Sequence, residues 1–208
     1  MNVAEMPIGE FLEAVASERV VPAGGTGAAI AGATGAALCE MTCIHAEHPA
    51  AERPRAEAEL LTEAREELHR GRVRLLRLGD ADAEAIAELR SVLGETDASS
   101  GGTTTEERRA TGVPLTIAEA CLSVLEAAEV AVELGSDNAV PDAVTGVLLA
   151  ESALKSALYI VRHNTEDLEN GSFAGTVTDR AAEIGANADR AVEAALAAAV
   201  SSGGGASR

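Results

Sequence analysis

Apolar residues recur every three to four positions along most of the chain, and no stretch keeps the period of two that a half-buried strand requires. This period predicts a short helix over Pro7–Glu18, with Phe11, Leu12 and Val15 on one face. A second is predicted over Thr26–His48, and a third over Glu52–Leu78 with Pro54 in its first turn. Gly79 is expected to close the third helix and Asp80 to cap a shorter one over Ala81–Leu93. Gly94–Thr104 reads as a loop, followed by a brief helical piece, Thr105–Ala110. Two long amphipathic helices, Pro114–Leu134 and Pro141–His163, flank the turn Gly135–Val140, and a last helix covers Thr176–Ser201. The expectation is an all-α antiparallel bundle of about six main helices. It forms one domain over residues 1–200, with 201–208 as a disordered tail.

One segment breaks the amphipathic rule. Val20–Cys39 carries no charge, in a chain of which 24% is charged. It opens on Pro22, Ala23, Gly24, Gly25, Thr26 and Gly27, then continues as a helix of small residues. Glycines there let a ligand come close to the backbone and to the free N–H groups of a helix start. Pro22, Gly24, Gly25 and Thr26 are therefore candidate substrate-binding residues. Ala28, Gly32 and Ala36 form a small-residue row, with Gly35 beside it, that lets another helix pack closely, within a subunit or across a two-fold axis. A helix uncharged all round calls for burial on several sides, which favours a homodimer. Its glycines, threonines and Pro22 make it too polar for a membrane span.

Composition narrows the picture further. Phe11, Phe173 and Tyr159 are the only aromatics, so the core must be built from Leu, Val, Ile and Ala, which suits close-packed helices. The net charge is -18, and Lys155 is the only lysine. Such a surface repels nucleic acid and anionic membranes, so neither is expected as a partner. The carboxylates are spread over every predicted helix, which points to adaptation to high salt rather than to one basic partner. Cys39, Cys43 and Cys121 are an odd number without a CxxC and read as buried thiols. Cys43, His45 and His48 do not make a recognisable metal site, and no metal is expected. The amino end lacks a signal-like apolar run, so a cytoplasmic location is expected.

Four segments in register resemble the cyclodeaminase/cyclohydrolase family, which acts on one-carbon derivatives of tetrahydrofolate. They are Phe11–Leu38 (FLEAVASERVVPAGGTGAAIAGATGAAL), Asp80–Leu93 (DADAEAIAELRSVL), Val113–Gly135 (VPLTIAEACLSVLEAAEVAVELG) and Ser136–Arg162 (SDNAVPDAVTGVLLAESALKSALYIVR). Two departures stand out. Ala23 replaces a usual glycine and Thr26 a usual serine, and Gly94–Gly112 is short and rich in Gly, Ser and Thr. The resemblance implies an all-helical fold, a homodimer and a folate substrate, with no metal or redox cofactor.

The implied reaction is hydrolysis of 5,10-methenyltetrahydrofolate to the 10-formyl compound. The alternatives are formimidoyltetrahydrofolate cyclodeaminase, which releases ammonia, and a non-catalytic helical scaffold. Either reaction needs a proton shuttle and a carboxylate beside a cationic amidinium. Asp142, at the start of an otherwise apolar helix, is the first candidate and Asp82 the second; each could equally be a helix-start acid. Asp137 and Asn138 are weaker candidates. Gly24, Gly25 and Thr26 would cradle the substrate. Lys155 and Arg162 are ranked ahead of Arg72, Arg74 and Arg77 as cations for the glutamate tail. The glycine turn and Asp142 are expected to share a cleft, in one subunit or across a pair.

Overall fold

The computed structural model describes residues 2–47, 53–95, 104–166, 168 and 171–203. Among these the regular elements are all helical: α1 (Ile8–Val15), α2 (Gly24–Glu47), α3 (Arg55–Glu95), α4 (Thr105–Leu134), α5 (Val140–Glu166) and α6 (Ser172–Gly203). Single 3-10 turns occupy Val3–Glu5 and Asp137–Ala139. The all-α bundle is what the chain forms, though its helices divide differently from the expectation.

Helix α4 is the axis of the molecule. Around it α3, α2, α5 and α6 form an arc in that order, and neighbours along the arc run antiparallel. Thr26 meets Asp82 while Glu40 meets Arg72, which fixes α2 against α3. Lys155 meets Asp189 and Gly185 faces Leu158, which fixes α5 against α6. Leu68, Leu75, Ile117, Leu125, Leu154 and Ile184 are fully buried, and alanines fill most of the space between them.

The small-residue row is used within the chain. Gly32 lies against Cys121 and Ala153, and Gly35 crosses Gly146. A Cβ added at Gly146 would fall 2.6 Å from the Gly35 carbonyl oxygen and 2.7 Å from the Cys39 sulfur. By length and composition alone, Gly24–Glu47 and Asp137–Glu166 could each cross a membrane. Here α2 packs on α3, α4 and α5, while α5 packs on α2, α4 and α6.

Several boundaries need correction. Helix α3 does not stop at Gly79, and Asp80 does not cap a new helix; its carboxylate accepts the Val3 N–H at 2.7 Å. Continuing the helix buries Asp82, Ala83 and Ala85, outweighing the roughly 1 kcal/mol that a mid-helix glycine costs. Pro114 does not begin a helix either. Helix α4 starts nine residues earlier, where Thr104 and Glu107 form a reciprocal capping box. The carbonyl that Pro114 leaves without its helical N–H, that of Ala110, accepts instead from Asn164 Nδ2 at 3.0 Å. Helix α2 begins at Gly24, before Thr26, and α6 at Ser172. Residues 201–203 are helical rather than tail, and 204–208 lie outside the described residues. Of the expected loop, Gly94 and Glu95 are helical, and 96–103 lie outside the described residues. In α1 the buried side chains are Phe11 and Ala14, whereas Leu12 and Val15 face out.

Candidate functional site

The glycine turn and Asp82 form one unit. The chain enters through a cis Val21–Pro22 bond, with Pro22 buried and Gly24 exposed at the start of α2. First-turn N–H groups have no partner inside their own helix. Helix α3 supplies one. The Asp82 carboxylate accepts from the Thr26 hydroxyl at 2.9 Å and from the Thr26 backbone N–H. The Thr26 hydroxyl also lies 3.4 Å from the Gly79 carbonyl oxygen. A Cβ at residue 25 would lie 2.6 Å from Asp82 Cγ, so only glycine fits over this carboxylate. Asp82 is 2% exposed. Burial pushes its carboxyl above the usual aspartate value, and the Thr26 hydrogen bonds offset this only in part. The result is a buried carboxyl of raised pKa directly behind the backbone of a helix start.

Asp142 is elsewhere. It is exposed in the first turn of α5, and α5 starts where α2 ends. The Ala139 carbonyl oxygen lies 3.4 Å from Thr42 Oγ1, and that of Ala143 lies 3.5 Å from Cys39 Sγ. Gly24, by contrast, faces Ile160, near the other end of α5. At 1.5 Å per residue the glycine turn and Asp142 stand roughly 22 Å apart along α2. Within one chain the expected shared cleft does not form, because α2 and α5 are antiparallel. Asp137 and Asn138 are exposed in the 3-10 turn beside Asp142.

Of the candidate cations for a glutamate tail, Arg162 follows Ile160, the residue that Gly24 faces, by two positions on α5. Lys155 and Arg162 both line a groove of about 340 Å³ between α5 and α6. Lys155 is held by Glu151 at 2.7 Å and Asp189 at 3.5 Å, and Arg162 lies over the Tyr159 ring at 4.9 Å. Arg74 and Arg77 are exposed on α3. Arg72 instead lines a second groove of about 410 Å³, between α1 and the α2–α3 pair, whose walls include Phe11, Ile30, Thr34 and Leu76.

Sequence reasoning missed Glu40. It is buried on α2 and accepts from Arg72 Nε at 2.7 Å, with His69 Nδ1 at 3.0 Å from the same carboxylate. Burial raises its pKa, but the Arg72 and His69 hydrogen bonds outweigh that and hold it below the usual glutamate range. The one signal available was an acid in a helix that carries no other charge before its last turn. Cys39, Cys43 and Cys121 are buried free thiols, pushed by burial up to about 12. His45 is exposed and His48 lies outside the described residues. Among the described residues no three metal-binding side chains come together.

Comparison with known proteins agrees with this architecture. A methenyltetrahydrofolate cyclohydrolase from Methylorubrum extorquens is 32% identical over 172 residues, covering 79% of this chain and 81% of the relative. The solved structure of a formiminotetrahydrofolate cyclodeaminase from Thermotoga maritima superposes with a TM-score of 0.86 at 19% identity, over 96% of this chain and 98% of the other. That likeness speaks for the fold. The family model described as formiminotransferase-cyclodeaminase matches residues 7–183, and with most of its length so matched the chain belongs to that family.

Proposed function

We propose that the protein is a folate enzyme of the cytoplasm that hydrolyses 5,10-methenyltetrahydrofolate to 10-formyltetrahydrofolate, working as a homodimer without metal or redox cofactor. The observation that carries this reading is Asp82, a buried carboxyl with a raised pKa fixed on the backbone amide and hydroxyl of Thr26 in the glycine turn. The cyclohydrolase relative, similar over most of both chains, supports the choice of reaction.

In this reaction water adds to the cationic carbon between N5 and N10, and the C–N5 bond then breaks. One proton of the water ends on N5 and the other is released, while the oxygen becomes the formyl oxygen. A single carboxyl that accepts the first proton and returns it to N5 serves both steps. Asp82 has the raised affinity for a proton that such a shuttle needs, and Gly25 is the residue that covers it. An α2 N-terminus by itself disfavours a cationic substrate, so an ionised carboxylate at that end supplies the necessary opposite charge. The groove walled by Phe11, Ile30 and Leu76 offers an apolar seat, with Arg72 as the cation in its wall.

The test follows the loss of methenyltetrahydrofolate absorbance in high-salt buffer. Wild-type protein should exceed the buffer rate, and Asp82→Asn should lower kcat/KM by about 100-fold or more. A wild-type rate equal to buffer overturns the reading. The second reading, cyclodeaminase, rests on the family description; ammonia release from the formimidoyl compound, without methenyl hydrolysis, would put it first.

A further inference from the structure

We propose that Glu40 is a positioning residue: it grips one edge of Arg72 so that the rest of the guanidinium takes a carboxylate at the far end of the substrate's aromatic arm. The identity of that arm, the aminobenzoyl-glutamate half of the substrate, rests on the folate reading above; the groove and the ion pair stand without it.

Helical spacing joins the Asp82 end to this groove. Thr26, Ile30, Ala33 and Ala37 follow at i, i+4, i+7 and i+11, which sets them on one face of α2. Arg72, Leu76 and Gly79 do the same on α3 at i, i+4 and i+7. The two faces meet at the glycine turn, where Thr26 holds Asp82 and nears the Gly79 carbonyl oxygen. From there Ile30, Ala33, Ala37, Leu76 and Arg72 continue as walls of the groove of about 410 Å³. The N-terminal segment covers it, tied down by the Val3 N–H on Asp80. Arg72 stands roughly 15 Å from Asp82 by helical rise along α3. Among the described residues that line the groove, Arg72 alone is charged. A ligand with its reacting carbon at the turn, an aromatic ring between apolar walls and a carboxylate at Arg72 matches that order of surfaces.

Arg72 reaches the groove under constraint. Its Nε donates to Glu40 Oε2 at 2.7 Å and its Nη2 lies 3.5 Å from Glu40 Oε1, two points that fix the plane of the guanidinium. Nη2 is also 3.0 Å from His69 Nδ1. Nη1 has no partner among the described residues, which leaves its two N–H groups for a ligand. The Glu40 side chain is 11% exposed, and burial opposes its charge, yet the hydrogen bonds from Arg72 and His69 keep it ionised. On a chain of net charge -18, surface carboxylates suffice to neutralise an arginine. A buried one gripping at two points does something they do not: it sets the direction in which the remaining donors face.

The experiment compares 5,10-methenyltetrahydrofolate with 5,10-methenyltetrahydropteroate, which lacks the glutamate, and follows binding of 4-aminobenzoyl-glutamate by calorimetry. Wild type should favour the folate by about 10-fold in kcat/KM, through KM rather than kcat. Glu40→Gln should raise KM for the folate and cut this preference. Removing a negative charge would by itself lower KM for an anion, so a fall in KM overturns the positioning role. Arg72→Lys keeps the charge without the fork; a preference that survives it shows that charge alone suffices and overturns the inference. Glu40→Leu combined with Arg72→Met replaces the pair by apolar groups and should be as stable as wild type to denaturant. It should nevertheless bind the arm about 10-fold more weakly and treat both substrates alike. If it keeps the preference, the pair is structural and the inference fails, as it does if wild type is indifferent to the glutamate. Arm binding that depends on Arg72, in a protein inert on methenyl and formimidoyl folates alike, upholds the groove and removes the folate reaction instead.

Discussion

Asp82 caps the first turn of α2 from a neighbouring helix, and its raised pKa gives a stability prediction with a definite sign. An acid whose folded-state pKa lies above its unfolded value holds its proton more tightly when folded. Ionising it therefore lowers stability as pH rises through the folded pKa, and the penalty is absent below the unfolded pKa. Asp82→Asn removes that penalty while its amide oxygen still accepts from Thr26. Thermal unfolding should therefore show the variant at least as stable as wild type at pH 7, with any advantage shrinking toward pH 4; a variant less stable at neutral pH would mean that the carboxylate works chiefly as a cap. Part of this was readable in advance. The glycines announced a helix start open to close approach, and Asp82 was already a candidate. What the sequence could not supply was the pairing, because Thr26 and Asp82 are 56 positions apart and meet only through the packing of α2 on α3. That Asp142 lies at the far end of α2 from the turn within one chain was hidden for the same reason: helical period fixes faces but not which ends of two helices coincide.

At the scale of elements, the glycine crossing of α2 and α5 decides how closely the arc can close. Backbone meets backbone there, so no flexible side chain can yield to an added methyl group. Gly146→Ala should lower stability by about 1–3 kcal/mol by denaturant unfolding, despite alanine's better helix propensity of roughly 1 kcal/mol. Gly27→Ala is the control, since nothing lies within 4 Å of its Cβ position, and should be neutral or slightly stabilising in the isolated chain. Equal costs at both sites would show that the crossing does not limit the packing. Helix existence was legible from period alone, and all-α was correct. The joins were not. Gly79 and Pro114 read as punctuation because local rules treat them so, yet each is overridden by a contact from far along the chain. Helix α2 covers Gly79, and Asn164 satisfies the carbonyl that Pro114 strands.

Across the whole molecule the scarce cations are stretched between acids. Arg70 pairs with Glu66 and Glu67, Arg109 with Glu84 and Glu88, Lys155 with Glu151 and Asp189, and Arg180 with Glu119 and Glu183. Each such group keeps a net negative charge, so pairing does not neutralise the surface but spaces its excess. Exposed ion pairs contribute little by themselves, and the repulsion among the remaining carboxylates acts over about 10 Å at 0.1 M salt but only about 3 Å at 1 M. Salt therefore removes more repulsion than attraction here, the reverse of its effect on a surface with balanced charges. The thermal midpoint should rise by roughly 5–10 °C between 0.1 and 2 M KCl, on the order of 2–3 kcal/mol for a chain of this size. KCl is the right probe because sulfate strengthens burial in any protein and would not isolate the charge effect. A midpoint flat from 0.1 to 2 M would end the salt-adaptation reading and leave the acidity without a physical role in stability.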